Sequence, residues 1–430
     1  MNVAYDISIL GKGIRSAKCR TGIHRAIENT FQELLNIEGL DLKPVNSEVD
    51  EILNCEDYLS AKSATPKPIH QIHDCDHDAY RNRGHMKNEL RALKAANEKR
   101  FSIVTYLHRK ALKVRLRKTP NAGLRMQIAP DSLKGLDIYH SPFSPLPQEV
   151  LNANSITPFF TVYDLILIKH PEFFKGNQQP ELTRHLDNLS GKEWICCISE
   201  STRNDLLEIN PKLNPDKVKV THLAAGTHFY PCNDQQRYAQ IQAKYKLPSG
   251  PYFLSLSTLE PRKNIISAIR AFLELAKSGE CSEASLVLVG GLGWNFESTI
   301  NEIEGSNKLK ERIILTGFVD DADLATIYSN ALAFVYMSYY EGFGLPPLEA
   351  MQCGTPVITS DNSSLPEVVG DAGILLNADD QDGLKQAMLN FYNDNELTAN
   401  YSEKSQIRAQ QFSWKACAHQ TANAYQEALT

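Results

Sequence analysis

Short apolar runs alternate with amphipathic segments along the first half of the chain. Ile27, Phe31 and Leu34 recur at helical spacing, whereas the opening residues form one continuous apolar run that is typical of a buried strand. The pattern predicts strands at 2–10, 137–140, 158–162, 194–198 and 217–223, helices at about 23–37 and 86–117, and an irregular segment at 47–75.

A second alternation of strands and helices begins at Tyr252. Its strands are predicted at 251–257, 285–291, 312–317, 332–338, 355–360 and 373–377, with helices at 265–276, after 320 and at 347–353. Such alternation specifies parallel sheets that are covered by helices on both faces. The expected fold is therefore α/β, with two doubly wound, Rossmann-like domains facing a central cleft. Residues 224–250, rich in Gly, Pro and Asn, are expected to link them.

Composition agrees with a globular protein of two or three domains: 430 residues, 42% hydrophobic and 22% charged. No apolar run approaches the ~20 residues that span a bilayer. The first residues lack the basic segment of a secretory signal, and nine cysteines without framework spacing indicate free thiols in a reducing compartment. We expect a cytoplasmic location.

The net charge of −6 conceals a basic block, because residues 81–118 hold thirteen Lys and Arg against two acidic residues. Within 99–118, Val104, Leu107, Ala111 and Val114 form one apolar stripe among cations. This stripe fits either a peripheral helix on anionic lipid at the inner membrane face or a helix packed on its own domain. Nucleic acid is a less favoured partner, since no module that reads RNA or DNA is recognisable.

The segment SYYEGFGLPPLEAMQCGTPVITS, residues 338–360, carries the strongest chemical signal. Glu341 follows a buried strand, and Gly342, Phe343 and Gly344 form a bare turn before a helix that carries Glu349. Backbone N–H groups in such a turn can point at a phosphate, and the helix N-terminus adds favourable partial charge. The two carboxylates could hold two hydroxyl-bearing parts of one ligand, although surface glutamates beside a turn would look similar.

A second segment, STLEPRKNIISAIRAF at 257–272, places Arg262 and Lys263 between a strand and a helix. A guanidinium beside an ammonium suits a diphosphate. Cations at a helix N-terminus oppose the helix dipole unless an anion is present, so a merely solvated basic pair is disfavoured.

Together the two segments resemble the family 4 retaining glycosyltransferases, which have the GT-B fold. Further stretches similar to that family are CISESTRNDLL (197–207), HLAAGTHFYP (222–231), ILTGFVDDADLATIYSNA (314–331) and SSLPEVVGDAGILL (363–376). The resemblance implies an acceptor domain at 1–223, a linker at 224–250, a donor domain at 251–405, and a C-terminal segment at 406–430 that returns to the first domain.

The resemblance also implies residue roles. Glu341 would face the donor hexose, Glu349 the ribose, and Arg262 with Lys263 the diphosphate, whose growing negative charge they would stabilise. The remaining donor-site groups implied are the backbone N–H groups of Phe343, Gly344 and Leu345, the backbone near Val319, and Gly22 with Thr21 in RTGIHRAI (20–27). No metal or other cofactor is then needed.

Three readings remain open at this stage. Gly11 or Gly13 could replace Gly22 at the phosphates. Tyr163 stands where many members of the family have histidine, and a phenol can donate a hydrogen bond but cannot share a proton near neutral pH. Asp164 could orient Tyr163, position the acceptor, or serve as a structural cap.

The donor base is predicted from Asp321, which stands two residues after Val319. Guanine offers two adjacent N–H donors that a carboxylate can accept, whereas uracil offers one N–H between two carbonyls. A GDP-sugar, GDP-mannose first, is therefore favoured over a UDP- or TDP-sugar. The alternative is that Asp320 or Asp321 only caps the following helix.

The spacing of His70, His73, Cys75 and His77 could bind a metal, but a solvated loop is the default interpretation. The predicted function is a retaining transfer of a hexose from a nucleotide-diphospho-sugar to a glycan or lipid-linked acceptor, in the assembly of a surface polysaccharide. Two other classes remain: a sugar-nucleotide epimerase of the same fold and a non-catalytic subunit. Turnover of the donor without an acceptor would favour the former, and the intact set of charged residues counts against the latter.

Overall fold

A computed structural model describes residues 1–15, 22–48, 51–73, 77–99, 103–118, 128–174, 183, 186–291, 293–294 and 296–430. Thr21 and Cys75, both named by the sequence predictions, lie outside these residues. In the part of the chain that is described, no helix is long and apolar enough to cross a lipid bilayer. The seven cysteines described there are buried and free.

The first half of the chain forms one six-stranded parallel sheet in the order β2-β1-β3-β4-β5-β6. Its strands are β1 (Asn2–Asp6), β2 (Asp41–Val45), β3 (Ile138–Ser141), β4 (Thr157–Val162), β5 (Trp194–Cys197) and β6 (Val218–Val220). Its helices are Ser8–Arg15, Gly22–Leu34, Ile52–Lys62, His77–Lys99, Ile103–Lys118, Gln148–Asn152, Ile166–Lys169 and Glu200–Ile209.

A second six-stranded parallel sheet has the order β12-β11-β10-β7-β8-β9. Its strands are β7 (Tyr252–Leu256), β8 (Ser285–Val289), β9 (Ile313–Gly317), β10 (Ala333–Tyr336), β11 (Val357–Ser360) and β12 (Gly373–Leu376). The helices of this half are Gln235–Tyr245, Ile265–Ser278, Glu297–Glu304, Asp321–Ser329, Leu345–Gln352, Leu365–Val369, Gln381–Asn393, Asn395–Ala409 and Trp414–Leu429.

Both faces of the second sheet are covered. The adjacent β7 residues Phe253 and Leu254 are fully buried in two different apolar clusters, because successive side chains of a strand point to opposite faces. The predicted α/β fold with two doubly wound sheets is therefore confirmed.

The predicted first strand is too long, because β1 ends at Asp6 and a helix begins at Ser8. The carboxylate of Asp6 accepts hydrogen bonds from the backbone N–H of Ser8 at 2.9 Å and from its hydroxyl at 2.6 Å, and so caps that helix. Gly11 and Gly13 lie within it. A Cβ at these positions would stand 2.7 Å from Sγ of Cys55 and 2.0 Å from Nε2 of His24, so close packing in this helix requires both glycines.

Three other expectations need correction. The segment expected to be irregular contains the helix Ile52–Lys62, which buries side chains on more than one face and so lacks a clear helical period. The basic block forms two helices, His77–Lys99 and Ile103–Lys118, rather than one. The expected linker contains the helix Gln235–Tyr245. Asp234 caps the N-terminus of this helix, because its carboxylate accepts a hydrogen bond from the backbone N–H of Arg237 at 3.0 Å.

The C-terminal helix Trp414–Leu429 packs on the helix Gly22–Leu34 and on β5 of the first sheet. The hydroxyl of Tyr425 lies 2.5 Å from Nδ1 of His140, whose other ring nitrogen lies 2.8 Å from the Thr161 hydroxyl. Burial lowers the pKa of His140 to about 3, so this contact is made by a neutral imidazole.

Candidate functional site

The strand order creates a crevice in the second sheet between β7 and β10, which are neighbours although their paired residues Phe253 and Ala333 are 80 positions apart in the chain. From each of these strands the chain runs to a different side of the sheet. Loops therefore diverge at this point, and ligands of open α/β sheets bind at such a position. The loop after β7 carries Arg262 and Lys263, and the loop after β10 carries Glu341.

The two cations converge on the single carboxylate of Glu341. Nζ of Lys263 lies 2.6 Å from Oε1 of Glu341, and Nη1 of Arg262 lies 3.0 Å from Oε2. The Tyr336 hydroxyl donates to the same Oε1 at 2.8 Å. Arg262 is held further by Glu260, at 2.8 Å. All of these side chains are nearly buried, so the charges act with little screening by water.

The pKa shifts follow from this arrangement. Burial tends to raise the pKa of Glu341, but Lys263 and Arg262 lower it to about 2, so the group is a carboxylate at neutral pH. Burial also lowers the pKa of Lys263, and Glu341 only partly opposes this effect. An anion arriving beside Lys263 would raise that pKa again.

Glycines let two backbones meet at this site. Gly344 has φ +113°, a conformation that side chains disfavour, and it begins the helix Leu345–Gln352. A Cβ at Gly342 would stand 2.4 Å from the carbonyl oxygen of Tyr163 in the other half of the molecule. The Ser199 hydroxyl donates to the carbonyl of Gly342 at 2.7 Å and joins the two halves there.

A cavity of about 190 Å³ lies between the two sheets at this point. Most of the predicted site residues line this cavity, so the structure brings together residues from both halves. Its lining includes Gly22, Tyr163, Asp164, Lys263, Glu341, Gly342, Phe343, Gly344 and Leu345. A Cβ added at Gly22 would lie 3.7 Å from Cδ1 of Leu345. The helix Gly22–Leu34 of the first half therefore faces the N-terminus of the helix Leu345–Gln352 of the second half.

Tyr163 and Asp164 lie at the floor of the cleft. Oδ1 of Asp164 accepts from the backbone N–H of Ile166 at 3.2 Å, which matches the structural-cap alternative. Tyr163 packs against apolar clusters of both halves, and burial raises the pKa of its phenol well above the ordinary value. The phenol is therefore a neutral group throughout the physiological pH range.

Glu349, Val319 and Asp321 lie apart from the two cations. The Tyr328 hydroxyl donates to Oε2 of Glu349 at 3.1 Å, and Val319 is buried. Burial raises the pKa of Glu349 to about 7, with Arg25 and Tyr328 lowering it and Asp321 raising it further. Asp320 holds the N-cap position of the helix Asp321–Ser329, but its side chain makes no cap hydrogen bond.

Sequence reasoning missed Arg25, whose Nη2 lies 3.3 Å from Oδ1 of Asp321 across the cleft. The available signal was its position three residues after Gly22, which places both on one face of a helix. Of the residues with metal-binding spacing, Nε2 of His70 and Nε2 of His73 contact the carbonyl oxygens of Ser132 and Asn46 at 3.0 and 2.9 Å. Within the described residues, no group of acidic, His and Cys side chains could hold a metal ion.

Known proteins are similar to this chain both in sequence and in fold. A family model described as glycosyl transferases group 1 matches residues 237–408, which include every second-half residue of this site. The chain is 33% identical over 289 residues to the O-antigen chain mannosyltransferase B of Escherichia coli, across 67% of this chain and 74% of that protein. It is also 33% identical over 232 residues to the O-antigen chain mannosyltransferase RfbU of Salmonella typhimurium, across 54% of this chain and 60% of that protein.

The fold is similar to that of a solved sucrose-phosphate synthase from Thermosynechococcus elongatus. The TM-score is 0.64 at 18% identity, over 100% of this chain and 99% of that chain. At this identity the likeness concerns the fold alone.

Proposed function

The chain belongs to the group 1 glycosyl transferases, and from this premise we propose that it transfers a hexose from a nucleoside diphosphate sugar to a glycan or lipid-linked acceptor with retention of configuration. GDP-mannose is the favoured donor, and assembly of a surface polysaccharide is the favoured setting. Two relatives named as O-antigen chain mannosyltransferases support both choices.

The observation that carries this proposal is the convergence of Arg262 and Lys263 on the cleft, 3.0 and 2.6 Å from the carboxylate of Glu341. In transfer, the bond between the sugar C1 and the diphosphate oxygen breaks, and negative charge grows on the diphosphate. Two preorganised cations and the N-terminus of the helix Leu345–Gln352 are suited to stabilise that charge. We therefore propose that no metal ion is required.

The acceptor hydroxyl attacks C1 from the side on which the leaving diphosphate lies, and its proton passes to a donor phosphate oxygen. This route needs no protein base. It therefore suits a site in which Tyr163 stands where many members of the family have a histidine, since a phenol does not share a proton near neutral pH. Glu341 stays ionised, because its pKa is about 2, and its role is to accept hydrogen bonds from the hexose and to orient the cations.

The experiment is a transfer assay with GDP-mannose, UDP-glucose and TDP-glucose on oligosaccharide acceptors, with the anomeric configuration of the product read by NMR. We expect transfer from GDP-mannose and the same configuration in donor and product. An inverted product would contradict the proposed mechanism. Release of free sugar or isomerised donor at equal rates with and without acceptor would favour hydrolysis or epimerisation instead.

We also propose that the helix Ile103–Lys118 contacts an anionic membrane surface. Val104, Leu107 and Val114 are 77%, 58% and 47% exposed, whereas Leu112 on the opposite side of the helix is buried. The apolar stripe therefore faces outward rather than into its own domain, and it lies among the cations of the basic block. Apolar side chains flanked by Lys and Arg are typical of helices that lie at a lipid surface.

A further inference from the structure

Six aromatic side chains form an aromatic seam, a row of ring contacts that joins the two halves, and one of them, Tyr340, directly precedes Glu341 in the chain. Three come from the segment after β4 in the first half, and three come from loops of the second half. The ring centroids are 4.6 Å apart for His170 and Tyr340, 5.9 Å for Phe173 and Tyr339, and 5.8 Å for Phe174 and Trp294. The indole N–H of Trp294 also donates to the carbonyl of Phe173 at 2.6 Å.

Tyr340 is the member of the seam that binds the first half most closely. Its ring packs on His170, and its hydroxyl donates to Oδ2 of Asp205. Asp205 is itself fixed, because Nζ of Lys169 donates to its other carboxylate oxygen at 2.6 Å. A ring contact and a charge-assisted hydrogen bond therefore attach this one residue to two separate elements of the first half.

The backbone of the same residue holds Arg262, which together with Lys263 forms the proposed diphosphate clamp of the second half. The carbonyl oxygen of Tyr340 accepts from Nη1 of Arg262 at 2.6 Å, and this nitrogen also pairs with Glu341. One residue earlier, the backbone N–H of Tyr339 donates to the carbonyl of Arg262 at 2.9 Å. The main chain at 339–340 thus orients Arg262 at both its backbone and its guanidinium.

We propose that Tyr340 is a positioning residue, through which packing of the first half against the second fixes the guanidinium of Arg262 for the leaving diphosphate. The inference rests on the proposed transferase function. His170 and Asp205 hold the side chain of Tyr340 from the first half, and the carbonyl of the same residue holds Arg262 in the second half. A change in the side-chain contacts should therefore displace the guanidinium and slow transfer.

The experiment compares Tyr340→Phe, which loses only the hydroxyl, with Tyr340→Ala, which also loses the ring. We expect kcat to fall about tenfold in the first and about a hundredfold in the second, a range typical of small displacements of a catalytic group. The Kd for GDP, measured by calorimetry, should stay within about threefold, because Lys263 and the helix N-terminus still bind the diphosphate. The Phe variant should thus recover part of the loss, as a retained ring contact requires.

Asp205→Asn removes the charge from the acceptor of the hydrogen bond that Tyr340→Phe abolishes, so it should slow transfer no more than Tyr340→Phe does. The double variant should be no slower than Tyr340→Phe alone, since both changes act on the same hydrogen bond. Tyr401→Ala is the matched control, because Tyr401 makes a ring contact with Phe391 within the second half alone. If Tyr340→Ala does not fold, the Phe and Asn variants decide the matter.

A kcat for Tyr340→Ala within threefold of the control would overturn the proposal, as would additive effects in the double variant. A loss of GDP affinity with unchanged kcat would make Tyr340 a binding residue instead. Failure of the wild type to transfer sugar while it still binds GDP would refute the proposed function rather than this role.

Discussion

Nζ of Lys263 lies 2.6 Å from Oε1 of Glu341, although the two residues are 78 positions apart in the chain. Both side chains are nearly buried, and the contact joins the loops after β7 and β10. Glu341 and Glu260 thus balance the charges of Lys263 and Arg262. A diphosphate that binds beside these cations would bring further negative charge to them.

Replacing Arg262 or Lys263 with Ala should reduce kcat by about a hundredfold or more, which corresponds to about 3 kcal/mol of transition-state stabilisation. The reason is that each cation acts on charge that develops on the leaving group in a site with little water. Lys385→Ala is the matched control, since Nζ of Lys385 makes surface ion pairs with Glu274 and Asp382 away from the cleft. Losses below threefold at both site positions would exclude the clamp.

Donor binding should weaken as the pH falls below about 7, because burial raises the pKa of Glu349 to about 7. A protonated carboxyl accepts fewer hydrogen bonds from the ribose, so affinity should fall by up to about tenfold per pH unit below that value. The measurement is calorimetry with GDP-mannose, because this donor lacks the terminal phosphate of GDP, whose own titration would change the affinity with pH. Glu349→Gln should remove the pH dependence.

The same shift has a consequence for stability. A carboxyl with a raised pKa is stabilised in its protonated form, so the contribution of Glu349 to the free energy of unfolding should grow as the pH falls from about 7 to 4.5, its ordinary pKa. For the binding prediction, an affinity of the wild type for GDP-mannose that stays unchanged from pH 8 to 5.5 would contradict the assignment of Glu349 to the ribose.

Transfer activity should survive an excess of EDTA, because the two cations and the helix N-terminus supply the charge that a metal would otherwise provide. The measurement is the initial rate after dialysis against the chelator, with Mg²⁺ or Mn²⁺ added back to a parallel sample. Full loss with recovery on addition of metal would refute metal independence and direct attention to Asp321 and Asp323, the two carboxylates in the first turn of the helix Asp321–Ser329.

Binding to anionic vesicles should be detectable by co-sedimentation at low salt and should fall steeply as salt increases. Leu107→Asp should reduce binding at least tenfold, since Leu107 is 58% exposed in the apolar stripe. Ile407→Asp is the matched control, because Ile407 is 57% exposed on a different helix. Equal binding by both variants, or none by the wild type, would exclude this helix as the contact.

GDP should bind more tightly than UDP or TDP, and Asp321→Asn should reduce that preference, because an amide has one acceptor oxygen where a carboxylate has two for the adjacent N–H donors of guanine. Asp320→Asn is the control, since Asp320 pairs with Lys244 at 2.7 Å instead of facing Arg25. Competition assays with the three nucleotides provide the comparison. Tighter binding of UDP by the wild type would overturn the choice of donor and leave the clamp unaffected.

Local patterns predicted much of this protein. Apolar runs located the strands from 138 onward, and the spacing of Glu341, the glycine turn and Glu349 located the turn and helix that line the cleft in the second half. Such features are decided by residues that are neighbours in the chain, since side-chain period and turn chemistry are local properties. The errors at 8–10 and 52–62 arose where the Asp6 cap and burial on several helix faces outweighed local preference.

The contacts that make a site from these parts were decided by the tertiary structure. The pairing of β7 with β10 brings Lys263 to Glu341, and the meeting of the two halves brings Arg25 to Asp321 and Tyr340 to Asp205. No local pattern records which strands pair or which loops face each other, because that choice depends on the burial of whole sheets and helices at once. The sequence by itself thus determined the chemical groups and their elements, and strand order with domain packing determined which of those groups meet.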